Sequence, residues 1–398
     1  MKESGLQSSR EMTQMRHARR LDELPPYLFD ELDKAKQGLI GRGVKVVDLA
    51  VGDPDLPTPS RIVERMREAV ADASNHRYPG YKGKSSLRQA IALWFLRRYG
   101  VELDPDAEIL VLVGSKEGIG HLPFALVDPG DKVFVPDPGY PVYANTSMIA
   151  GAEVRCFGLR EENGFLPRIE ELDSLGKAKL IFLNYPNNPT GAVADKDFFA
   201  KVVGLAVSTG STICNDAAYG EITFDGFRSP SILASEGAMD CAIEIHSFSK
   251  TFNMTGWRIG FAVGNRDILK ALARVKMNLD SSVFGAIQDA ALAALSLSYD
   301  ENLRAYERRR KLAFERLSKL GCHFFYPKGT FYVWAKAPLG LTSAEFAVRL
   351  LEKANVSVAP GSGFGNNGEG WFRIALTRPE VEIAEGFDRM AGLNLWTN

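Results

Sequence analysis

The sequence predicts an α/β protein with two parts: a large domain with a mostly parallel sheet flanked by helices, and a smaller α+β domain. Between residues 108 and 263, short apolar segments alternate with helical segments, which is typical of parallel sheets whose strands are joined by helices. After residue 320, short apolar segments and single helices follow one another more closely. With 398 residues, 45% apolar and 24% charged, the chain has an ordinary globular composition.

The large domain begins with two helices. Residues 60–71 have a helical period, with Ser60 as the expected N-cap, and a second helix is expected from Ser85 to about Tyr99. Helices are also expected after residues 115 and 141. The strands of this domain are predicted at residues 109–113, 132–135, 179–183, 212–214, 242–246 and 259–263.

The small domain draws on both ends of the chain. Residues 44–49 predict a strand that ends in a turn at Gly52, and a charged helix at residues 299–320 is expected to be a solvated connector. Beyond it, strands are predicted at residues 322–325, 331–334, 356–358 and 372–376, with a helix from Ser343. The predicted division is an N-terminal arm at 1–24, a small domain at 25–59 and 300–398, and a large domain at 60–299.

Charge and cysteine content exclude several classes of function. A net charge of −1 and a pI near 6.6 provide no electrostatic footprint for nucleic acid or a membrane surface. The four cysteines are far apart and form no C-x-x-C pair, so neither a metal site nor a disulfide framework is indicated. The N-terminus lacks the apolar core of a secretory signal, and no apolar run reaches membrane-spanning length. We expect a cytoplasmic protein.

One lysine has the surroundings of a reactive amine. Lys250 follows Ser247 and Ser249 and precedes Arg258, with apolar strand-like sequence on both sides. Burial or a neighbouring cation lowers the pKa of a lysine, which makes its amine a nucleophile at neutral pH. Hydroxyl groups and a guanidinium can hold a phosphate dianion. An amine beside a phosphate site suggests pyridoxal phosphate, with Lys250 as the Schiff-base lysine.

Further polar residues follow the strands that precede this lysine. Ligands of parallel sheets bind at the carboxyl ends of the strands. There, Asp216 could keep a pyridine nitrogen protonated, and Asn188 and Tyr219 could donate hydrogen bonds to the phenolate oxygen of the same ring. Tyr140 could stack on that ring, and Ser115 begins a helix whose N-terminus would attract an anion.

Four segments together carry a family resemblance: NYPNNPTG at 184–191, NDAAY at 215–219, SFSK at 247–250 and WFRIAL at 371–376. In this order and spacing they resemble the class I/II aminotransferases of the fold-type-I pyridoxal-phosphate enzymes. The similarity extends from about residue 27 to the C-terminus. It implies the fold-type-I architecture, pyridoxal 5'-phosphate as cofactor, and ping-pong transfer of an amino group between an amino acid and a 2-oxo acid. It also implies a homodimer with shared active sites.

The resemblance further implies a role for each matching residue. The catalytic residues would be Lys250, which forms the Schiff base and moves the substrate proton, Asp216 on the ring nitrogen and Tyr219 on the phenolate oxygen. Arg373 would bind the substrate α-carboxylate as a bidentate fork, helped by the backbone of Gly52 and by Asn188. The remaining cofactor contacts would come from Ser115, Lys116, Tyr140, Asn188, Ser247, Ser249, Arg258 and, from a partner subunit, Tyr78.

Within this family, the chain is most similar to the bacterial LL-diaminopimelate aminotransferases. The segments that resemble them are LPPYLF at 24–29, GDPDLPTP at 52–59, GSKEGI at 114–119 and KTFNMTGWR at 250–258. This implies transfer of an amino group between LL-diaminopimelate and 2-oxoglutarate in lysine biosynthesis. Tyr27 and Lys116 would then lie near the far end of the substrate.

Alternatives to this substrate and this chemistry remain open. Plant-type members carry a glutamate in a loop where this chain has Tyr81 and Lys82, and aminotransferases for alanine, methionine or aromatic amino acids share nearly all the other motifs. A pyridoxal-phosphate β-lyase would use the same residues. The S-x-x-K motif at 247–250 also occurs in serine β-lactamases, but their S-D-N and K-T-G motifs do not occur in this sequence. A non-catalytic relative would be expected to lack Lys250 or Asp216, and both are present.

Overall fold

The structure, a computed structural model, describes residues 17–24 and 28–396. The α-helices in this part of the chain are α1 (Leu28–Gly41), α2 (Ser60–Ala71), α3 (Ser85–Tyr99), α4 (Ser115–Leu126), α5 (Val142–Ile149), α6 (Ile169–Ser174), α7 (Lys196–Thr209), α8 (Ala238–Cys241), α9 (Phe248–Thr251), α10 (Arg266–Leu279), α11 (Gly285–Ala294), α12 (Asp300–Lys319), α13 (Ser343–Ala354) and α14 (Glu380–Ala391). The strands are β1 (Val47–Asp48), β2 (Ile109–Leu112), β3 (Lys132–Asp137), β4 (Glu153–Gly158), β5 (Leu180–Asn184), β6 (Thr212–Asp216), β7 (Ala242–Ser247), β8 (Gly260–Gly264), β9 (Phe324–Phe325), β10 (Tyr332–Lys336), β11 (Val356–Ser357), β12 (Ala359–Pro360) and β13 (Trp371–Ala375).

The largest sheet has seven strands in the order β2-β8-β7-β6-β5-β3-β4. β3 pairs in parallel with β4 and with β5, and the pairs β5–β6 and β6–β7 are parallel as well. β8 runs antiparallel to both of its neighbours, β2 and β7. The prediction of a mostly parallel sheet is therefore confirmed, with one strand reversed.

Both faces of this sheet are covered by apolar side chains. Along β2, Ile109 and Val111 belong to one buried cluster, whereas Leu110 and Leu112 belong to another on the opposite face. Successive side chains of a strand point to opposite faces. A strand that is buried on both faces therefore needs a continuous run of apolar residues. Such runs in the sequence predict the inner strands of the large sheet.

The edge strand β4 has no such run, and the sequence did not predict it. Arg155 and Cys156, near its middle, are both exposed. An edge strand pairs on one side only and commonly carries polar side chains. Apolar run length is therefore a poor indicator of this element.

The C-terminal elements form a four-stranded antiparallel sheet in the order β12-β13-β10-β9. β1 pairs in parallel with β11. A third buried cluster joins Val47 and Leu49 to Phe331, Phe346 and Phe372. Residues near the N-terminus thus pack with the C-terminal sheet, while the proposed domain boundaries at residues 24, 59 and 299 stay a prediction.

The interpretation of the charged helix as a solvated connector is wrong for α12. Arg309 and Arg310 in this helix are only 4% and 1% exposed. Arg309 makes two hydrogen bonds to Asp55 (2.7 and 2.9 Å), and Arg310 makes two to Asp225 (2.9 and 2.6 Å). A guanidinium can be buried when its planar fork meets a carboxylate in this bidentate way. The charge run alone therefore did not reveal the burial of these two arginines.

The predicted bounds of α2 are confirmed, but Ser60 is its first helical residue and not its N-cap. Pro59 takes the N-cap position, and no side chain caps the helix there. The fixed φ of proline is compatible with the extended backbone that an N-cap needs. None of the helices in the described part of the chain has both the length and the apolar character needed to cross a bilayer.

Candidate active site

The residues singled out in the sequence gather at one edge of the large sheet. The carboxyl ends of β2, β3, β5, β6 and β7 lie at this edge, and the reversed strand β8 begins there. A cavity of about 600 Å³ opens at this edge, a size typical of ligand sites. The predicted residues that line it are Gly52, Ser115, Lys116, Tyr140, Asn188, Asp216, Tyr219, Ser247, Ser249, Lys250, Arg258 and Arg373.

Asp216, the last residue of β6, provides a buried carboxylate in this cavity and is 5% exposed. The hydroxyl of Tyr143 donates to its Oδ2 at 2.8 Å, and the backbone N–H of Ala218 donates to its Oδ1 at 3.1 Å. Burial raises the pKa of Asp216, and these two hydrogen bonds oppose that shift. A buried carboxylate is costly unless positive charge balances it. The position therefore favours a positively charged ligand group.

Lys250 lies in α9, which begins directly after β7. Its Nζ donates a hydrogen bond to the carbonyl oxygen of Gly52 at 3.0 Å. Burial lowers the pKa of Lys250, and the nearby cations Arg373 and Arg258 lower it further, whereas Tyr332 and Asp53 oppose the shift. The amine is thus more readily deprotonated than an exposed lysine, as a nucleophilic lysine requires.

A cradle for an anion surrounds the N-terminus of α4. Ser115 begins this helix, and no side chain caps the preceding Gly114. A Cβ added to Gly114 would lie 2.3 Å from Nη2 of Arg258, so only glycine lets this guanidinium approach the helix end. Arg258 itself has a left-handed backbone conformation with φ 55°. Ser247 and Ser249 add hydroxyl groups to the same wall of the cavity.

Arg373 in β13 is a buried cation, 7% exposed. Its Nη1 donates to Oδ1 of Asn188 and its Nη2 to the carbonyl oxygen of Ala50, both at 2.7 Å. Its guanidinium carbon lies 4.0 Å from the ring centre of Tyr332 and 4.8 Å from that of Phe364. Within residues 17–24 and 28–396, Arg373 forms no ion pair, and its Nε has no hydrogen-bond partner. Buried charges are normally paired, so the position of Arg373 favours binding of an anionic ligand.

Two tyrosines close the remaining wall. The hydroxyl groups of Tyr219 and Tyr332 lie 3.0 Å apart and share a hydrogen bond. Burial raises the pKa of Tyr219 well above its ordinary value, so this residue is neutral at physiological pH. A Cβ on Gly52 would lie 1.8 Å from the Tyr332 hydroxyl oxygen. The close approach of Tyr332 therefore requires glycine at position 52.

Among the predicted site residues that the structure describes, Tyr78 does not line this cavity. Tyr78 is 92% exposed, and the cavity lining does not include it, so its expected contact with the cofactor of a partner subunit stays a prediction. Tyr27 lies outside the described residues. Its expected contact with the far end of the substrate also stays a prediction.

The structure adds residues that sequence reasoning missed. Tyr143, Tyr332, Phe364 and Asn184 line the cavity. The side chain of Asn184 donates to the backbone oxygen of Asp216 (2.7 Å) and accepts from the backbone N–H of Asn188 (2.8 Å). Asn184 could have been found, because it is the first residue of the NYPNNPTG segment and ends a predicted strand. The other three carry no local signal of a site.

A second group of polar side chains lies outside the cavity lining. Ligand atoms of Glu117, His121 and Asp280 lie within 4.8 Å of one another. However, Nζ of Lys276 already pairs with Oδ1 of Asp280 (2.7 Å) and Oε2 of Glu117 (3.2 Å). An ammonium group thus neutralises two of the carboxylates that a metal ion would use.

Residues 44–390 match the family model for aminotransferase class I and II. The chain belongs to this family, whose members are generally pyridoxal-phosphate enzymes, and it is an aminotransferase. It is 49% identical to the LL-diaminopimelate aminotransferase of Moorella thermoacetica over 381 residues, which cover 94% of this chain and 98% of that protein.

Solved structures agree with this assignment. Apo-BacF from Bacillus subtilis superposes with a TM-score of 0.93 at 40% identity, covering 97% of this chain and 100% of BacF. A double mutant of the Thermus thermophilus aspartate aminotransferase gives a TM-score of 0.90 at 31% identity, covering 96% and 100%. The predicted fold-type-I aminotransferase architecture is confirmed.

Proposed function

We propose that this protein is a pyridoxal-phosphate-dependent aminotransferase whose substrates are LL-diaminopimelate and 2-oxoglutarate. The observation that carries the proposal is the pair formed by Lys250, a partly buried amine with a lowered pKa, and Arg373, a buried cation without a counter-ion among the described residues. Both line one cavity. A carboxylate on Arg373 would bring an amino-acid substrate to the amine. The choice of LL-diaminopimelate rests on the name of the similar Moorella protein.

The proposed reaction balances without any further reactant. LL-diaminopimelate gives one amino group to 2-oxoglutarate, which becomes glutamate. The remaining 2-oxo acid keeps its distal amine. That amine closes on the new carbonyl group with loss of water, which gives tetrahydrodipicolinate. In the biosynthetic direction the same steps run in reverse, with glutamate as the amino donor.

The cavity residues fit pyridoxal phosphate. The buried carboxylate of Asp216 suits a cationic ring nitrogen, and the cradle of Ser115, Ser247, Ser249 and Arg258 suits a phosphate. Tyr140 lines the same cavity and would stack on the ring. When bound, pyridoxal phosphate supplies the electron sink that stabilises negative charge at the substrate Cα.

The protein's own groups then position the substrate and move its proton. Arg373 binds the α-carboxylate, and Asn188 and the Ala50 carbonyl oxygen fix the plane of its guanidinium. The amine of Lys250 would take the proton from the substrate Cα, hold it on Nζ and donate it to a carbon atom of the bound cofactor. Tyr219 would donate a hydrogen bond to the cofactor, and the hydrogen bond to Tyr332 would hold its hydroxyl group in place.

We also propose a homodimer in which Tyr78 reaches the partner's cofactor. The support is the family resemblance, together with the exposure of Tyr78 and of apolar side chains such as Leu93 and Leu279. The division into an arm, a small domain and a large domain, and the cytoplasmic location, stay predictions.

The test of the proposed function is the first half-reaction. Purified enzyme is mixed separately with LL-diaminopimelate, glutamate, alanine, methionine and phenylalanine, and the loss of the bound cofactor's absorbance is followed. We expect LL-diaminopimelate and glutamate to react far faster than the other three. If glutamate reacts and LL-diaminopimelate does not, the substrate assignment is wrong and the amino acid that does react replaces it.

The chemistry has separate controls. Conversion of cystathionine, which carries a thiol leaving group on Cβ, and water to homocysteine, pyruvate and ammonia without a 2-oxo acid present would indicate a β-lyase. We expect Lys250→Ala to lose turnover with every amino acid. Turnover retained in that variant, or purified wild-type protein without a bound chromophore, would contradict the mechanism.

A further inference from the structure

Some charged side chains of the cavity have a partner or a proposed role, and others have neither. The cations are Lys36, Lys116, Lys250, Arg258 and Arg373. The carboxylates are Asp33, Asp53 and Asp216. Lys250, Arg258, Arg373 and Asp216 have roles in the proposed function. The four charged residues without a role in the proposed function are Asp33, Lys36, Asp53 and Lys116.

Two of these four satisfy each other within the protein. Nζ of Lys36 lies 2.6 Å from Oδ1 of Asp33 and 3.0 Å from Oδ2 of Asp48. Lys36 is itself buried. This ammonium already has two carboxylate partners, and no ligand charge is needed to balance it.

The other two, Asp53 and Lys116, have no such partner. Among the described residues, neither side chain takes part in a hydrogen bond or an ion pair, and both residues are exposed. The neighbouring carboxylates in the sequence differ: Asp48 is held by Lys36 and Asp55 by Arg309. Asp53 is thus the carboxylate of this segment that faces the cavity and is left available.

Both groups are carried by segments that also contribute proposed active-site residues. Asp53 follows Gly52, whose carbonyl oxygen accepts the hydrogen bond from Lys250 Nζ at 3.0 Å. Asp53 is close enough to Lys250 and to Tyr306 to interact with both electrostatically. Lys116 follows Ser115 in the first turn of α4, on the wall that carries the anion cradle. The cavity in which a substrate held by Arg373 would lie is therefore lined by an available carboxylate and an available ammonium.

We propose that Asp53 binds the distal ammonium group of the substrate. This inference rests on the proposed function, because LL-diaminopimelate ends in a second amino-acid group with one charge of each sign. A position for Lys116 near the far end follows from the family resemblance. The assignment of Asp53 follows from the distribution of charges in this cavity.

The assignment makes Asp53 selective among substrates. Glutamate has a distal carboxylate and no distal ammonium, so Asp53 offers it no attraction. LL-diaminopimelate and 2-aminopimelate share the carbon chain and both carboxylates and differ by the distal ammonium alone. A hydrogen bond to a charged group contributes about tenfold or more in binding, so this pair of compounds isolates the contribution of Asp53.

The experiment compares wild type with Asp53→Asn, which keeps the side-chain shape and removes the charge. The rate constant of the first half-reaction is measured against the concentration of LL-diaminopimelate, 2-aminopimelate and glutamate. We expect the ratio of kcat/KM for LL-diaminopimelate to kcat/KM for 2-aminopimelate to fall about tenfold or more, because any effect of Asp53 on Lys250 acts on both compounds alike. Equal losses on LL-diaminopimelate and 2-aminopimelate would overturn the assignment.

Two matched variants sharpen the result. Asp33→Asn removes the other cavity carboxylate outside the proposed machinery, and we expect it to leave the preference for LL-diaminopimelate over 2-aminopimelate unchanged. A selective loss in Asp33→Asn and none in Asp53→Asn would place the distal ammonium at Asp33 and overturn the proposal. Lys116→Met should lower kcat/KM for both pimelate compounds by the same factor.

The wild-type rates separate this inference from the proposed function. If wild type reacts with glutamate but not with LL-diaminopimelate, the proposed substrate is wrong and the inference falls with it. If wild type reacts with both and Asp53→Asn retains full preference for LL-diaminopimelate, the inference alone fails. A glutamate half-reaction in Asp53→Asn shows that the variant is folded and carries cofactor.

Discussion

Arg373 and Asn188 are joined by a hydrogen bond of 2.7 Å from Nη1 to Oδ1. The bond connects β13 of the small sheet to the loop that follows β5 of the large sheet. An amide side chain has one acceptor and two donor hydrogens. Because Arg373 donates to Oδ1 of Asn188, the amide nitrogen of Asn188 is left to donate to a ligand. The proposed carboxylate site and the proposed phenolate contact therefore share one residue.

Replacing Arg373 with alanine should weaken all amino-acid substrates alike. Every α-amino acid presents the same carboxylate to this guanidinium, and losing hydrogen bonds to a charged group should lower kcat/KM by about a hundredfold. Half-reactions with glutamate, alanine and LL-diaminopimelate measure this. The matched control is Arg378→Ala, because Arg378 donates to the Asp48 carbonyl oxygen (3.2 Å) and does not line the cavity. An effect of Arg373→Ala on a single substrate would contradict its assigned role.

Replacing Tyr143 with phenylalanine should weaken cofactor binding. The Tyr143 hydroxyl donates to Asp216 at 2.8 Å, and this hydrogen bond opposes the rise in the pKa of Asp216 that burial causes. Without it, the carboxylate is less well held in its charged form. We expect the dissociation constant for pyridoxal phosphate to rise about tenfold, as measured by titrating cofactor-free enzyme.

The control for this change is Tyr185→Phe. Tyr185 is also a buried tyrosine, and it donates to the Phe165 carbonyl oxygen at 2.8 Å without lining the cavity. It should lower stability and leave cofactor affinity unchanged. If both variants change the affinity equally, the Tyr143 effect is a general loss of packing.

The stability of cofactor-free enzyme should depend on pH through Lys250. Burial lowers the pKa of Lys250 in the folded chain below 10.5, its ordinary value. Below the lowered pKa, the folded state carries a buried ammonium at full cost, and this cost declines as the pH rises from the lowered pKa toward 10.5.

Cofactor-free Lys250→Met should therefore be more stable than cofactor-free wild type near neutral pH. The difference in unfolding free energy between the variant and wild type should shrink as the pH rises from the lowered pKa of Lys250 toward 10.5. Urea denaturation at several pH values can measure this difference. A difference in unfolding free energy that does not change with pH would show that Lys250 has the same pKa in the folded and the unfolded chain.

Replacing Lys276 with methionine should destabilise the protein. Lys276 is completely buried and pairs with Glu117 (3.2 Å) and Asp280 (2.7 Å). Removing one partner of a buried ion pair leaves uncompensated charge and costs about 3–5 kcal/mol. The control Arg308→Ala breaks the exposed pair with Glu380 and should cost less than about 1 kcal/mol. Urea denaturation of both variants tests this, and equal losses would show that burial of the pair has no effect.

The sequence could predict the residues that follow strands, because a buried strand has a continuous apolar run and its end is marked by a change to polar residues. Asp216, Asn188 and Ser247 all stand at such ends. It could not predict Tyr332, which lies inside an apolar strand, or Tyr143, which lies inside α5. Their roles depend on which elements pack against each other, and no local pattern records that.

The misreading of α12 has a related cause. A charge run reports that side chains are ionisable, but not whether a carboxylate from a distant segment meets them. Asp55 and Asp225 are far from Arg309 and Arg310 in the sequence, yet the fold brings them into contact. Burial of such residues is a tertiary property.

The reversal of β8 makes the connection between two active-site residues short. A parallel partner for β7 would need a long helical crossover, whereas the antiparallel β8 is reached through residues 248–259 alone. Lys250 and Arg258 both lie in this one connection. The distance between the proposed Schiff-base amine and the proposed phosphate ligand is therefore set locally. Insertions in the other loops of the sheet can lengthen the chain during evolution without disturbing that distance.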